Sequence, residues 1–350
     1  MNRNVLLLIL AVFLLPFTAF AADETPEPSA DATKSYLVEH GADMLEHITA
    51  IQKDAQAYFD LLQAAKFDYA AAWKANPKPL ADYVQNARAE FILAHNDYER
   101  IEGIVAGVPS LSHFDTWIDA GPTGDEDPQN AYEWTLKLDD GRTFEKPGNL
   151  FHWLLETTLW GTKPEHTGLR VDLDGNGVDE RGDALPDAHY FLAIANAFAD
   201  AAAQMNTAIG EWTPTPDDKF TALLTMIPTM GDYFQEWKGS AYIAGEDPRF
   251  VAQSRLVDVK GIATSLSVIY SNEATSVSAK DSTLNQQITA GFDDLLKFLD
   301  DTHQKELDGK QFTAEEADAL GEQAQNKADM LAALVGQAAS TLELTLPEAQ

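Results

Sequence analysis

From Lys34 onward, apolar residues return every three or four positions. Leu37, Met44, Leu45, Ile48, Ile51, Ala55, Tyr58, Phe59 and Leu62 fall on one side of a long helix. Asn76-Pro77-Lys78-Pro79 breaks the run, and a second long helix is predicted from Leu80 to Val105. Gly107–Asn149 reads differently. It is rich in Gly, Pro, Asp and Asn, with an extended possibility at Trp134–Leu138 and a turn at Asp139-Asp140-Gly141. A stretch of that length without helical periodicity is expected to be an ordered, functional loop. Periodicity returns at Phe151 and lapses over Thr162–Pro186. It resumes through Pro186–Ile209, Phe220–Trp237 (interrupted at Pro228), Phe250–Tyr270, Thr283–Leu299 and Ala314–Leu342. Period-two alternation is nearly absent. The expected class is all-α, with helices in two packed bundles, approximately 34–185 and 186–350, and long ordered loops between them. No fixed-period repeat points to a solenoid.

The first residues carry a different signal. One Arg precedes the apolar run Val5–Phe20, and Ala19-Phe20-Ala21 offers a small-x-small cleavage site, so residues 1–21 are expected to be a secretory signal peptide. An acidic, Pro-containing linker is expected over 22–33. The chain has no cysteine, which excludes disulfides, thiol chemistry and lipidation after cleavage. No later apolar run approaches the roughly 18 residues needed to span a bilayer, so the mature chain is expected to lack an anchor and to be periplasmic or secreted. The formal charge is −32, and loss of the peptide's single Arg makes it −33. Such a surface repels nucleic acid and anionic lipid and attracts cations.

Two stretches carry candidate chemistry. In VDLDGNGVDERGD, Asp172, Asp174 and Asn176 fall at positions 1, 3 and 5 of a calcium-type loop, with Gly177 at the sharp turn. The Val178 carbonyl, Glu180 and Asp183 would follow at positions 7, 9 and 12. Two features depart from the ideal, Asp179 where an apolar residue is preferred and a closing Asp in place of Glu. An all-oxygen set favours a structural Ca²⁺ over a transition metal.

The second candidate is a set of acids and histidines on helices. His95, Glu99 and Glu102 share one helix face, and His152 and Glu156 stand four apart in FHWLLETTLWG. Polar stripes on long helices are ordinarily solvent-facing, and that is the expectation for His95 and Glu99. Facing another helix, the same residues would hold a metal. Glu156 is flanked by Leu154, Leu155, Leu159 and Trp160, and a carboxylate in that setting needs a partner or an ion. Trp117, Trp134, Trp153 and Trp160 are expected to pack in the core.

The order of DYERIEG, WIDAGPTGDED, FHWLLETTLWG and RLVDVKGIATSLSVIY, spread from about Ser35 to Leu342, resembles the imelysin-like family. That family includes proteins classed as metallopeptidases and periplasmic EfeO-type proteins of iron uptake. The resemblance implies two helical bundles with a site between them, built around Glu102, the central motif, and nearby acids such as Asp115 and Asp119. The family's central motif is Gly-x-His-x-x-Glu before Leu-Trp-Gly. Aligned on Trp160-Gly161, Glu156 matches its Glu, but Trp153 stands at its His and Phe151 at its Gly. His152 is one residue early. A π-bulge between His152 and Glu156 would restore the register, whereas regular α-helical bonding there would rule that out.

Three functions stay open on these grounds. One is an exported, non-catalytic protein that binds iron or another divalent metal for uptake or sensing, with a cell-envelope uptake complex as partner. Another is a metallopeptidase, which needs firm ligands, an open coordination position and a general base. The last is a Ca²⁺-stabilised module that binds a polysaccharide or a protein and has lost the family site.

Overall fold

Asp31 fixes where the first helix begins. Its carboxylate accepts hydrogen bonds from the Thr33 and Lys34 amides at 2.9 and 3.2 Å, which caps α1 (Ala32–Ala64). The expected linker therefore ends earlier than residue 33. Residues 31–346 are described by the computed structural model, and the expected signal peptide and residues 22–30 lie outside them. Asp31 also meets Lys219 at 2.7 Å, and Lys219 reaches Glu273 at 2.8 Å, so three distant segments close on one buried ammonium.

The predicted apolar face of α1 is buried from Leu37 to Leu62, with only Leu45 partly exposed. After a short helix, α2 (Tyr69–Ala75), the long α3 spans Pro77–Val105. It begins three residues before the expected start because Pro77 sits in its first turn, where a missing N–H costs nothing. The segment expected as loop contains α4 (Ser112–Ile118) and an antiparallel hairpin of β1 (Thr135–Lys137) and β2 (Thr143–Glu145) around the predicted turn. A π-helical turn, Leu150–Glu156, leads into the single turn α5 (Thr157–Leu159). A second pair, β3 (Thr167–Arg170) and β4 (Ala184–Pro186), closes the base of the candidate calcium loop.

The rest is helical: α6 (Ala188–Glu211), α7 (Pro216–Met226), α8 (Met230–Gly239), α9 (Arg255–Lys280), α10 (Ser282–Leu307) and α11 (Ala314–Thr341). Pro228 falls in a 3₁₀ turn between α7 and α8, the interruption its missing N–H predicts. α1 packs on α3 and α6, while α8, α9, α10 and α11 pack on one another. The two layers meet where α3 lies against α9. α6 follows the boundary expected at Pro186 and packs on α1 of the first layer. The architecture is all-α with two small two-stranded sheets among the described residues. None of the described helices is long and apolar enough to cross a membrane.

The α3–α9 contact is close for a specific reason. A Cβ on Gly261 would lie 2.8 Å from the Glu99 Cβ and 3.0 Å from its backbone, so glycine at this crossing lets α9 approach α3. That brings the start of α9 beside the polar face of α3.

Candidate metal centre

α3 turns His95, Glu99 and Glu102 inward, and all three are buried. This corrects the solvent-facing expectation for His95 and Glu99. Their stripe is covered by the second bundle, a long-range contact that helical periodicity does not encode. α4 supplies Asp115 from its first turn and Asp119 as its C-terminal cap residue. The π-turn supplies His152. Asn149 starts that turn, its side-chain oxygen accepting from the His152 and Trp153 amides at 2.8 and 3.1 Å.

The expected register change is present. A π-turn holds one more residue per turn than an α-helix, so it absorbs the early placement of the histidine. His152 Nδ1 lies 2.7 Å from Glu156 Oε2. The other Glu156 oxygen accepts from the Val251 and Ala252 amides at 2.6 and 2.7 Å. With Nδ1 engaged by Glu156, the Nε2 edge of His152 is the one turned toward the cluster. Glu156 thus stands behind the histidine as its orienting carboxylate, an arrangement typical of metal-bound imidazoles. The strap that binds Glu156 explains why α9 starts at Arg255, capped by Ser254, and not at the expected Phe250.

His152 Nε2 faces Asp119 Oδ1 at 3.1 Å and His95 Nε2 at 3.2 Å. His95 Nε2 lies 2.9 Å from Glu99 Oε1 and 3.6 Å from Asp119 Oδ1. One ligand atom from each of His95, Glu99, Asp119 and His152 falls within 4.8 Å of the others. Both Glu99 oxygens, Asp119 Oδ1 and Glu102 Oε2 are buried without a hydrogen bond. Orphaned buried carboxylate oxygens are costly unless a cation completes them. Two imidazoles and two carboxylates would neutralise a divalent ion, and N and O ligands held at about 2.0–2.2 Å from one ion lie about 3–3.6 Å apart. The donor set fits such an ion.

The surroundings polarise the cluster. Burial opposes charge on Asp119, yet the charge of His152, with His95 and Arg255, holds its carboxyl well below the usual range. Burial, then the charges of Asp258 and Asp119, push Glu99 well above it. Burial disfavours both imidazolium forms, but Asp258 and Asp119 raise His95, and Asp119 and Glu156 raise His152. Asp115 is pushed up to about 7 by burial and by Asp119, against the hydrogen bond it accepts from Tyr98 at 2.8 Å. Glu102 accepts from Tyr233 at 2.6 Å. Asp115 and Glu102 line a cavity of about 300 Å³ that reaches Asp119 and His152, so the ligand cluster has an approach.

Sequence reading missed the α9 contribution. Arg255 lies 2.7 Å from Asp258 Oδ2 and 3.1 Å from His152 Nε2, and Gln253 bridges His95 Nδ1 and Asp258 Oδ1, both at 2.8 Å. RLVDVKG contains Arg255 and Asp258 at i and i+3, a pairing that hinted at an ion pair but not at its place. Trp117, Trp134, Trp153 and Trp160 pack against the core. Trp153 also lies between Lys163 and Arg249, at 4.1 and 4.6 Å from its ring centre.

In the candidate calcium loop, one carboxylate oxygen from each of Asp172, Asp174 and Asp183 falls within 4.8 Å of the others. Asp172 accepts from the Gly175 and Gly177 amides, and both glycines adopt positive φ, as the tight turn requires. Asn176 joins Asp174 and Glu180 by its side-chain amide. Asp183 is buried and accepts from the Leu173 and Glu180 amides. Val178 is exposed, 56% of its surface open to solvent.

Comparison with known proteins decides the family. The model of the imelysin family, peptidase M75, matches residues 32–335. The chain belongs to the imelysin family. A solved structure similar to this imelysin is named as an iron-regulated protein A precursor from Parabacteroides distasonis. It shares 14% identity, with a TM-score of 0.44, over 92% of this chain and 98% of that one. No curated protein matches the imelysin chain.

Proposed function

We propose that this imelysin is exported and carries an iron ion as cargo, for uptake or sensing in the cell envelope. The observation that supports this reading is the convergence of His95, Glu99, Asp119 and His152 on one buried point with carboxylate oxygens otherwise unsatisfied. Two imidazoles with carboxylates suit iron and neighbouring divalent metals. Arg255 sets a positive charge beside the cluster's carboxylates, and Glu156 keeps His152 Nε2 aimed inward. The acidic surface concentrates cations around the cavity. A structural Ca²⁺ in the Asp172–Asp183 loop belongs to the same proposal, on the strength of its all-oxygen donor set.

Anaerobic equilibrium dialysis of the mature chain against Fe²⁺ tests the cargo site. Wild type should take up one equivalent that Asp119→Asn and His152→Gln abolish. Glu156→Ala should weaken it about 10- to 100-fold, the usual effect of losing an orienting carboxylate. Iron uptake that is absent, or unaltered in Asp119→Asn and His152→Gln, would overturn the assignment. Chelator-sensitive cleavage of unfolded protein substrates would favour the metallopeptidase function in its place.

A further inference from the structure

α3 carries a second set of ligand-type side chains on its other side. Asp97 follows His95 by two residues, so the two project from nearly opposite faces of the helix. Asp97 is 8% exposed and lies in the groove between α3 and α1. From α1, His40 and His47 flank it two turns apart. His40 Nδ1 is 3.3 Å from Asp97 Oδ1, and His47 Nε2 is 3.7 Å from Asp97 Oδ2. Asp43, on the same face of α1 as His40, brings a carboxylate oxygen within 4.8 Å of the ligand atoms of His40 and Asp97.

The orientation of these groups is built in. Glu90 Oε2 lies 2.7 Å from His47 Nδ1, which places the proton there and leaves the His47 Nε2 lone pair facing Asp97. Tyr36 packs edge-on against the His40 ring at 4.5 Å. A nitrogen–oxygen separation of 3.7 Å is too long for a hydrogen bond. It is close to the spacing of two ligands on one ion with bonds of about 2.0–2.2 Å, which is about 3–3.6 Å. Arg100 lies 3.4 Å from Asp97 Oδ1, but its side chain is 49% exposed and can swing into solvent.

We propose that His40, Asp43 and Asp97, whose ligand atoms lie within 4.8 Å of one another, form a second metal site between α1 and α3, to which His47 is drawn as a further donor through Asp97. Its ligand set selects a transition-metal dication that accepts imidazole, over calcium or magnesium. The site is independent of the buried cluster, since it shares no ligand with it.

Zinc is the probe. Zn²⁺ equilibrium dialysis of the mature chain should lose one equivalent in His47→Gln and in His40→Gln, with the helical circular dichroism unchanged. Arg100→Gln should bind that equivalent more tightly, because it removes the competing guanidinium. Zinc-soaked wild-type crystals should show an anomalous peak between His40 and His47, a result that needs no variant to fold. Unchanged zinc stoichiometry in both histidine variants, or no anomalous peak in the groove, overturns the proposal. Failure of the buried iron site is separable, because it would leave Asp119→Asn without effect on metal uptake while the groove equivalent persists.

Discussion

His166 shows how much one side chain can report about the packing behind the site. Its ring is buried, lies 2.8 Å from the Thr157 hydroxyl and stacks on Tyr190. Burial, reinforced by the charge of Lys163, depresses it to about 3. The unfolded chain takes up this proton as pH falls through about 6.5, while the native chain refuses it until near 3. Stability is therefore retained above pH 6.5 and falls by about 1.4 kcal/mol per unit below it. Urea unfolding of wild type and His166→Asn between pH 7 and 4.5 should show the wild type losing its advantage along that slope. A difference independent of pH would mean that His166 titrates normally. Legibility at this scale was uneven. Glu156 stood out because a carboxylate among leucines demands a partner. His95 and Glu99 did not, because a polar stripe looks the same whether water or a second bundle covers it. Arg255 and Asp258 owe their role to the α3–α9 crossing, more than 150 residues away in sequence from His95.

The site helix is where an element's geometry decides its chemistry. The long helices were legible from periodicity, and the π-turn followed only from comparing the spacing of His152 and Glu156 with the family pattern. α4 was missed because seven residues carry too few turns to establish a period. Exchanging the two residues, His152→Trp with Trp153→His, would restore the family spacing of histidine and glutamate on paper. In the π-turn that histidine leaves the line of Glu156 and of Asp119, so iron uptake should fall to the level of His152→Gln. Dialysis of the double variant checks this, and full retention of iron would show that the turn rewinds to a regular α-helix.

Across the whole molecule, the candidate calcium loop is tied to the site helix through Arg88. Its guanidinium donates to the Gly182 carbonyl at 2.6 Å and to the Leu159 carbonyl at 2.7 Å, from a position on α3. Calcium that binds only the folded chain adds about 2.7 kcal/mol at a hundredfold excess over its dissociation constant. The melting temperature should therefore climb with calcium in wild type and stay flat in Asp174→Ala. Equal shifts in both proteins would remove calcium from the loop. The two-bundle class was legible because helical periods dominate the chain, whereas the placement of α6 on α1 was not, since an Ala-rich helix fits many partners. The π-turn has a last consequence, for how relatives are found. It behaves as a one-residue insertion swallowed inside a helix, leaving Trp160-Gly161 and everything downstream in frame. A string search for the fixed histidine–glutamate spacing passes over this chain, while a search for two imidazole nitrogens meeting two carboxylates in space would retrieve it. In this chain the π-turn changes the count of residues between histidine and glutamate and still brings their atoms to one meeting point.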